Sequence, residues 1–92
     1  MNTKTLLLKY VCNSENVFTQ IKLTKGAETP NSQRITEVIE YAKRYLSDAK
    51  YYGGKQKYAT ALVSVAYCEG ILDALRLLKL VDFEWLETRE RQ

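Results

Sequence analysis

Two carboxylates, Glu69 and Asp73, lie four positions apart in the apolar stretch YCEGILDALRLL and are the first candidates for a reactive or metal-binding site. Residues four positions apart share one helix face, so the pair could ligate a divalent metal or share a proton, with Asp48 as a third carboxylate. Metal sites in helical bundles usually combine carboxylates of several helices with histidine, and the chain has no histidine. We therefore favour ion pairs with Arg76 or with lysines of a neighbouring helix, and we predict no metal site.

The segment GGKQK, residues 53–57, could bind an anion. It places Lys55 and Lys57 after two glycines, at the expected start of a helix. Free N–H groups at a helix amino terminus bind phosphate, and lysine there is otherwise disfavoured by the helix dipole. The spacing of a Walker loop is missing, and a solvated turn is the favoured alternative. The candidate residues for holding a phosphate or nucleotide are Lys55, Lys57, Glu69, Asp73 and Arg76.

The absence of histidine excludes most familiar catalytic arrangements. Ser-His-Asp and Cys-His arrangements, the usual zinc ligand sets and the arginine–histidine ribonuclease motif of some helical bundles all require it. The two cysteines, Cys12 and Cys68, lie far apart within apolar helical patterns, so we expect small buried hydrophobes rather than a disulfide. We predict a protein that is not an enzyme and that has no cofactor.

Apolar periodicity predicts three helices, at residues 4–25, 32–52 and 56–79, and a short helical segment at 82–90. Each long helix has an apolar residue every three or four positions, which places these residues on one face. No segment alternates with period two for long, so no strand is predicted. Short connections make consecutive helices antiparallel. The prediction is a single all-α domain, 1–92, folded as an up-down-up three-helix bundle with a short carboxyl-terminal helix or extension.

Glycines and polar residues define the expected helix ends. Gly26 is expected to end the first helix just after Lys25, and the pair Gly53-Gly54 to end the second. Asp82 is a candidate cap for the last short helix. The cap of the second helix is one of three residues that the sequence does not distinguish, namely Thr29, Asn31 and Ser32.

The third helix has two apolar faces, one of larger residues and one of small residues. So wide an apolar arc is typical of a helix that is buried on more than one side. The helix is therefore either the central element of the bundle or offers its small-residue face, with Ala66, Gly70 and Ala74, to a second subunit. Since glycine costs roughly 1 kcal/mol relative to alanine in a helix, we expect close packing at Gly70. A Gly70→Leu variant should then unfold the bundle or disrupt a dimer.

Tyrosine is frequent, with seven in 92 residues. Six of them fall in the second and third helices, where they either line the core with their hydroxyls at its rim or form a binding surface of rigid anchors. Tyr41 and Tyr51 lie off the buried stripe and are candidate interface residues. Trp85 could cover the end of the bundle and is a further interface candidate.

The formal net charge of +3 is dispersed along the chain. A nucleic-acid-binding domain usually concentrates its basic residues on one face, so nucleic acid is a disfavoured partner. No apolar run approaches the roughly 20 residues that cross a bilayer, and the leucines at 6–8 are too few for a signal peptide. We predict a cytoplasmic protein without a membrane partner.

Residues 42–85 carry a series of spaced motifs. A Tyr-x-x-Asp-Ala-x-Tyr pattern is followed by a glycine turn, an alanine-rich segment and a Tyr-x-x-Gly-x-Leu-Asp-Ala ending. The residues concerned are Tyr45, Asp48, Ala49 and Tyr51; Gly53 and Gly54; Ala59, Ala61 and Ala66; and Tyr67, Gly70, Leu72, Asp73 and Ala74. With these motifs the chain resembles the archaeal domain-of-unknown-function family numbered 357.

The resemblance implies an all-helical bundle without an assigned activity, sometimes beside or fused to nucleotidyltransferase-like domains. The chain departs from the family at Lys55, where relatives carry an acidic residue after the turn glycine, and this removes a helix cap. It departs again at Lys79, where a glycine often closes the third helix.

The residues and the resemblance together predict a non-catalytic helical interaction or accessory module that binds a protein partner or a second copy of itself. The alternative is a phosphate- or nucleotide-binding accessory domain of a nucleotidyltransferase-type enzyme. A weaker alternative is nucleic-acid binding through the basic first two helices.

Overall fold

The computed structural model describes residues 2–25 and 31–86, and within them the chain forms three long helices and two short strands. The helices are α1 (Thr3–Gln20), α2 (Ser32–Gly54) and α3 (Tyr58–Leu77), and the strands are β1 (Lys22–Leu23) and β2 (Val81–Asp82). The most extensive helix contact is between α2 and α3, and α1 packs against both. The predicted all-α three-helix bundle is confirmed.

Helix α1 begins where the Asn2 side chain accepts a hydrogen bond of 2.8 Å from the Thr5 N–H. It ends at Gln20 rather than near Lys25, because Ile21 takes an extended conformation and leads into β1. The predicted end at Gly26 lies outside the described residues. The end of α1 is therefore set by strand pairing with the distant carboxyl-terminal part of the chain rather than by local helix propensity.

The two strands form a small antiparallel ladder that the sequence analysis did not predict. Lys22 pairs with Asp82 and Leu23 with Val81, and the Thr24 N–H donates a further hydrogen bond of 3.0 Å to a backbone carbonyl before β2. Two residues per strand are too few to show the period-two pattern of a β-strand. The side chain of Val81 is buried against the helices, so the ladder closes one end of the core.

Of the predicted short carboxyl-terminal helix or extension, residues 82–86 form an extension without a helix, and 87–92 lie outside the described residues. Asp82 pairs in β2 instead of capping a helix. Phe83 is buried and meets the half-buried Trp85 edge to face, with ring centroids 5.1 Å apart. The aromatic side chains thus cover the end of the bundle as expected, although they do so from a non-helical segment.

Helix α2 starts after Asn31, which is its N-cap residue, and Thr29 lies outside the described residues. It continues through Gly53 and Gly54 and ends in a left-handed residue, Gln56, with φ of 63°. The N–H groups of Gln56 and Lys57 donate to carbonyls of the last turn, at 3.0 and 2.9 Å. This is a Schellman motif, and α2 ends at Gly54, within the glycine pair expected to end it and two residues beyond the predicted bound of 52.

Helix α3 begins at Tyr58 and ends in a second Schellman motif, with Lys79 left-handed at φ of 61°. The N–H of Leu80 donates to the Leu75 carbonyl at 3.0 Å, and the N–H of Lys79 donates to the Arg76 carbonyl at 2.9 Å. The motif turns the chain back toward β2. Lys79 therefore holds the conformation that glycine adopts most easily.

The core lies between the three helices and is closed by β2 and Phe83. Its buried apolar residues are Leu7, Val17, Ile35, Ala42, Leu46, Ala49, Ala61, Val65, Cys68, Leu72, Leu75, Val81 and Phe83. Helix α3 contributes more of them than either other helix, as expected for the central element. Cys68 is buried as predicted, whereas Cys12 is exposed because it lies beside the buried stripe of α1. Both thiols are free.

Candidate functional site

Helix α3 has one side that packs within the bundle and one side that faces outward. Its charged side chains are Glu69, which is buried, and Asp73 and Arg76, which are half-buried. At 3.6 residues per turn, all three lie on the arc that faces α1 and the carboxyl-terminal segment. The outward arc of α3 is therefore left without a charged residue.

We call this outward arc the outer face and define it as every exposed residue of α3. Its members are Ala59, Thr60, Val63, Ala66, Tyr67, Gly70, Ala74 and Leu77. Leu77 is 76% exposed, and Val63 and Tyr67 are each 58% exposed. A contiguous exposed apolar surface on a globular protein typically marks an interaction site.

Helix α2 shows how different an ordinary solvated face is in the same protein. Its exposed charged residues are Arg34, Glu37, Glu40, Lys43, Arg44, Asp48 and Lys50. The amphipathic pattern predicted for α2 is thus confirmed by its burial. The lack of charge on the outer face is a property of α3 and not of the whole surface.

Gly70 lies at the middle of the outer face. A Cβ atom built at Gly70 would meet no described atom within 4 Å, apart from its chain neighbours and its own helix. No packing within the described part of the chain therefore requires glycine here. Of the two outcomes expected for Gly70→Leu, the geometry does not support unfolding of the bundle and leaves disruption of a dimer.

Two features continue the outer face toward α2. Tyr67 stacks on Tyr45 of α2, with ring centroids 5.2 Å apart and ring planes 20° apart. Further along, Ala74 borders a groove of about 380 Å³ between α2 and α3, which is lined mainly by apolar side chains that include Val38 and Ile71. The apolar surface is therefore wider than α3 alone.

The predicted interface residues Ala66, Gly70 and Ala74 all lie on the outer face. Tyr41 and Tyr51 are exposed on α2, and each ring faces a cation. Arg44 lies 4.7 Å from the Tyr41 centroid, and Lys55 lies 5.1 Å from the Tyr51 centroid. Trp85 is half-buried, and its indole N–H donates to Asp73 at 3.2 Å. The structure thus places Trp85 beside Asp73 rather than on the outer face.

The predicted ligand-binding residues are not brought together. Lys57 precedes the first residue of α3, and at 1.5 Å per residue it lies about 18 Å along the helix from Glu69 and about 28 Å from Arg76. Arg76 donates from Nε to the Phe83 carbonyl at 3.2 Å and approaches Glu84 at 3.9 Å. Among the described residues no group of three or more histidine, cysteine, aspartate or glutamate side chains could hold a metal ion.

A buried polar cluster lies between α1 and α3, where Asn13 and Ser14 of α1 are buried along with Glu69 and Cys68 of α3. The pKa of the Cys68 thiol is raised to about 11, chiefly because the thiol is buried. The Ser14 hydroxyl partly opposes this increase by stabilising the thiolate, and the charge of Glu69 adds to it. Cys68 is therefore a protonated, unreactive thiol at neutral pH.

Sequence reasoning did not predict the burial of Asn13, and no periodic signal identifies it. Asn13 adjoins the polar position of the α1 stripe, Ser14, and both become buried only because α3 packs over them. Packing covers Asn13, Ser14 and Cys68, so these residues are closed to a ligand. Glu69 is the exception. That residue borders a groove of about 320 Å³ between α1 and α3.

Helix α3 is also the one helix among the described residues that is long and apolar enough to cross a membrane by length and composition. The core helix of a globular bundle passes the same test, and α3 supplies much of this core. The match is weak support for a membrane span.

The sequence model of one family, described as "Protein of unknown function (DUF357)", matches residues 9–81. The match includes most of α1 as well as α2 and α3, so it extends beyond the motifs of residues 42–85. A search of curated proteins and a search of solved structures each found no match. Because the family match covers more than half of the 92 residues, the chain belongs to the DUF357 family of proteins of unknown function.

Proposed function

We propose that this protein is a non-catalytic helical interaction module that binds a protein partner through the outer face of α3. The observation that carries the proposal is that all eight exposed residues of α3 are uncharged. A helix whose only role is to pack in the core of a monomer would present charged residues to solvent on its other face, as α2 does. The outer face is built like a buried surface and lacks a cover within the described chain.

Burial of the large side chains of the outer face would contribute binding free energy. Burying one leucine or valine fully contributes roughly 1.5–3 kcal/mol, and Leu77 and Val63 are more than half exposed. Tyr67 is held in place by its stack on Tyr45, so it loses little side-chain freedom on binding. Rigid aromatic residues of this kind are frequent energetic centres of interfaces.

The proposal is tested by capture of partners with outer-face variants. Val63→Glu places a charge on the outer face, and Tyr51→Glu places one on α2 at an equal exposure of 58%. The bait is expressed in its native host together with a second, differently tagged copy of the chain, so that self-association is detected in the same experiment.

A partner that binds the wild type and Tyr51→Glu but is lost from Val63→Glu supports the proposal. Circular dichroism should show both variants folded, because both positions are exposed. Equal capture by all three proteins would refute a role for the outer face.

A further inference from the structure

We propose that the partner of the outer face is a second copy of this chain, with the two α3 helices packed antiparallel about a two-fold axis beside residue 68. This inference rests on the proposed function and names its partner. It is argued from the charge, the sizes and the spacing of the outer-face residues.

The absence of charge suits a self-contact. In a two-fold interface the same surface patch of each subunit meets its own copy. A patch with charges of one sign would therefore repel that copy, unless it also carried charges of the opposite sign. A face with no charge has no such conflict. A strongly acidic or basic partner would find nothing on this face to pair with, and this favours a second copy over such partners.

The order of large and small residues suits an antiparallel pair. If residue 59 of one helix faces residue 77 of the other, small Ala59 receives large Leu77 at both ends of the contact. In the same register Val63 faces Ala74 to within one residue, and Ala66 faces Gly70. In a parallel pair Leu77 would meet Leu77 and Ala59 would meet Ala59, so one end would be crowded and the other empty.

The same register explains Gly70. The pair Ala66 and Gly70 falls next to the two-fold axis, where two packed helices approach most closely, with axes about 8–10 Å apart. Small residues at that point allow the backbones to come together. The described part of a single chain gives no reason for glycine at this position, whereas the antiparallel pair does.

The size of the contact sets the expected affinity. The outer face spans about 18 residue steps, which is about 27 Å, and a helix is about 10 Å wide. This footprint is small beside the roughly 800 Å² per partner of a standard interface. The dimer is therefore expected to be weak and to form with rising protein concentration.

Disulfide cross-linking distinguishes the arrangements. The background is Cys12→Ser, which removes the exposed thiol, while Cys68 is kept because it is buried. Ala59→Cys and Leu77→Cys variants are prepared separately, mixed in equal amounts and oxidised mildly at high concentration. A second mixture combines Ala66→Cys with Gly70→Cys, and Tyr51→Cys on α2 is the surface control. A disulfide requires Cα atoms about 4.4–6.8 Å apart.

The expected result is a cross-linked dimer in both mixtures and none with Ala59→Cys, Leu77→Cys or Tyr51→Cys alone. In the antiparallel pair the two copies of position 59 lie about 27 Å apart. Efficient cross-linking of Ala59→Cys with itself would show a parallel pair and overturn the antiparallel arrangement.

Sedimentation of the Cys12→Ser background distinguishes failure of this inference from failure of the proposed function. A monomer at every concentration up to about 500 µM, together with no cross-linking in either mixture, would overturn the second copy as partner. Loss of a different captured protein from Val63→Glu would then still support the outer face as an interaction site. Equal capture by wild type and variant would refute both.

Discussion

Gly53 of α2 lies directly against Leu7 of α1, and a Cβ atom at Gly53 would stand only 2.9 Å from Leu7 Cδ2. Leu7 is buried, and its Cδ2 atom is the end of a flexible side chain that borders an apolar groove of about 270 Å³ shared with Gly53. The contact explains why a glycine lies inside the last turn of α2. It is the one described glycine at which an added methyl group would collide with another helix.

The shift that an added Cβ requires of Leu7 should therefore make Gly53→Ala less stable than Gly54→Ala, although alanine is a better helix former than glycine at both positions. Overpacking costs about 1–3 kcal/mol, against a gain in helix propensity of about 1 kcal/mol. The matched control is Gly54→Ala, where an added Cβ would meet no described atom within 4 Å, and which should stabilise by about 0.5–1 kcal/mol. Urea unfolding measures both, and an equal change in unfolding free energy at the two glycines would contradict the contact.

The left-handed residues that end α2 and α3 give a second prediction. Gln56 and Lys79 have φ of 63° and 61°, a conformation that costs a residue with a Cβ about 1–2 kcal/mol. Part of the gain from placing glycine there is offset, because glycine loses more conformational entropy on folding. Gln56→Gly and Lys79→Gly should each stabilise by about 0.5–1 kcal/mol.

Glu37→Gly is the control for these two changes, because Glu37 is exposed inside α2 and is not in the left-handed conformation. Glycine there should destabilise by about 0.5–1 kcal/mol. Thermal or urea unfolding checks all three variants. Destabilisation by glycine at both 56 and 79 would show that the two helices do not end in left-handed residues.

Sequence patterns predicted the three helices but not the places where distant parts of the chain meet. A two-residue strand such as Lys22–Leu23 has no periodic signal, so the end of α1 was set by a ladder that only the fold creates. Gln56 and Lys79 end helices without glycine, which is the usual marker.

The candidate site was predicted only in part, again because contacts between distant parts of the chain have no sequence signal. Sequence showed that α3 has two apolar faces, but not which of them the other helices cover. Glu69 and Asp73 looked equivalent four residues apart. Only the packing shows that Glu69 is buried near α1 while Asp73 accepts a hydrogen bond from Trp85 of the carboxyl-terminal segment.

Cys68 gives a prediction about pH. Its folded pKa is about 11, above the ordinary thiol value of 9.0, so the folded state holds its proton more tightly than the unfolded state. Its contribution to stability is complete below pH 9 and is lost as the pH rises from 9 to 11, because the unfolded chain ionises first. A shift of about two units corresponds to at most about 3 kcal/mol.

Tyrosines and lysines also titrate in this range, so the measurement compares the wild type with Cys68→Ala. The difference in unfolding free energy between the two should shrink from pH 8 to pH 11. At pH 7.5 a thiol reagent should modify exposed Cys12 quickly and Cys68 only on unfolding. A constant stability difference, or rapid modification of both thiols, would contradict a buried neutral Cys68.

Gly70 separates the stability of the single chain from its association. With no described atom within 4 Å of an added Cβ, Gly70→Ala and Gly70→Leu should each stabilise the dilute monomer by about 0.5–1 kcal/mol, since both residues favour helix more than glycine does. In a dimer, leucine at the point of closest approach would force the helices apart, so Gly70→Leu should weaken self-association at least tenfold while Gly70→Ala changes it less. Unfolding at low concentration and sedimentation at high concentration measure the two effects on the same samples. Loss of monomer stability in Gly70→Leu would show that Gly70 packs within one chain, whereas a stable variant with unchanged association would remove Gly70 from the interface.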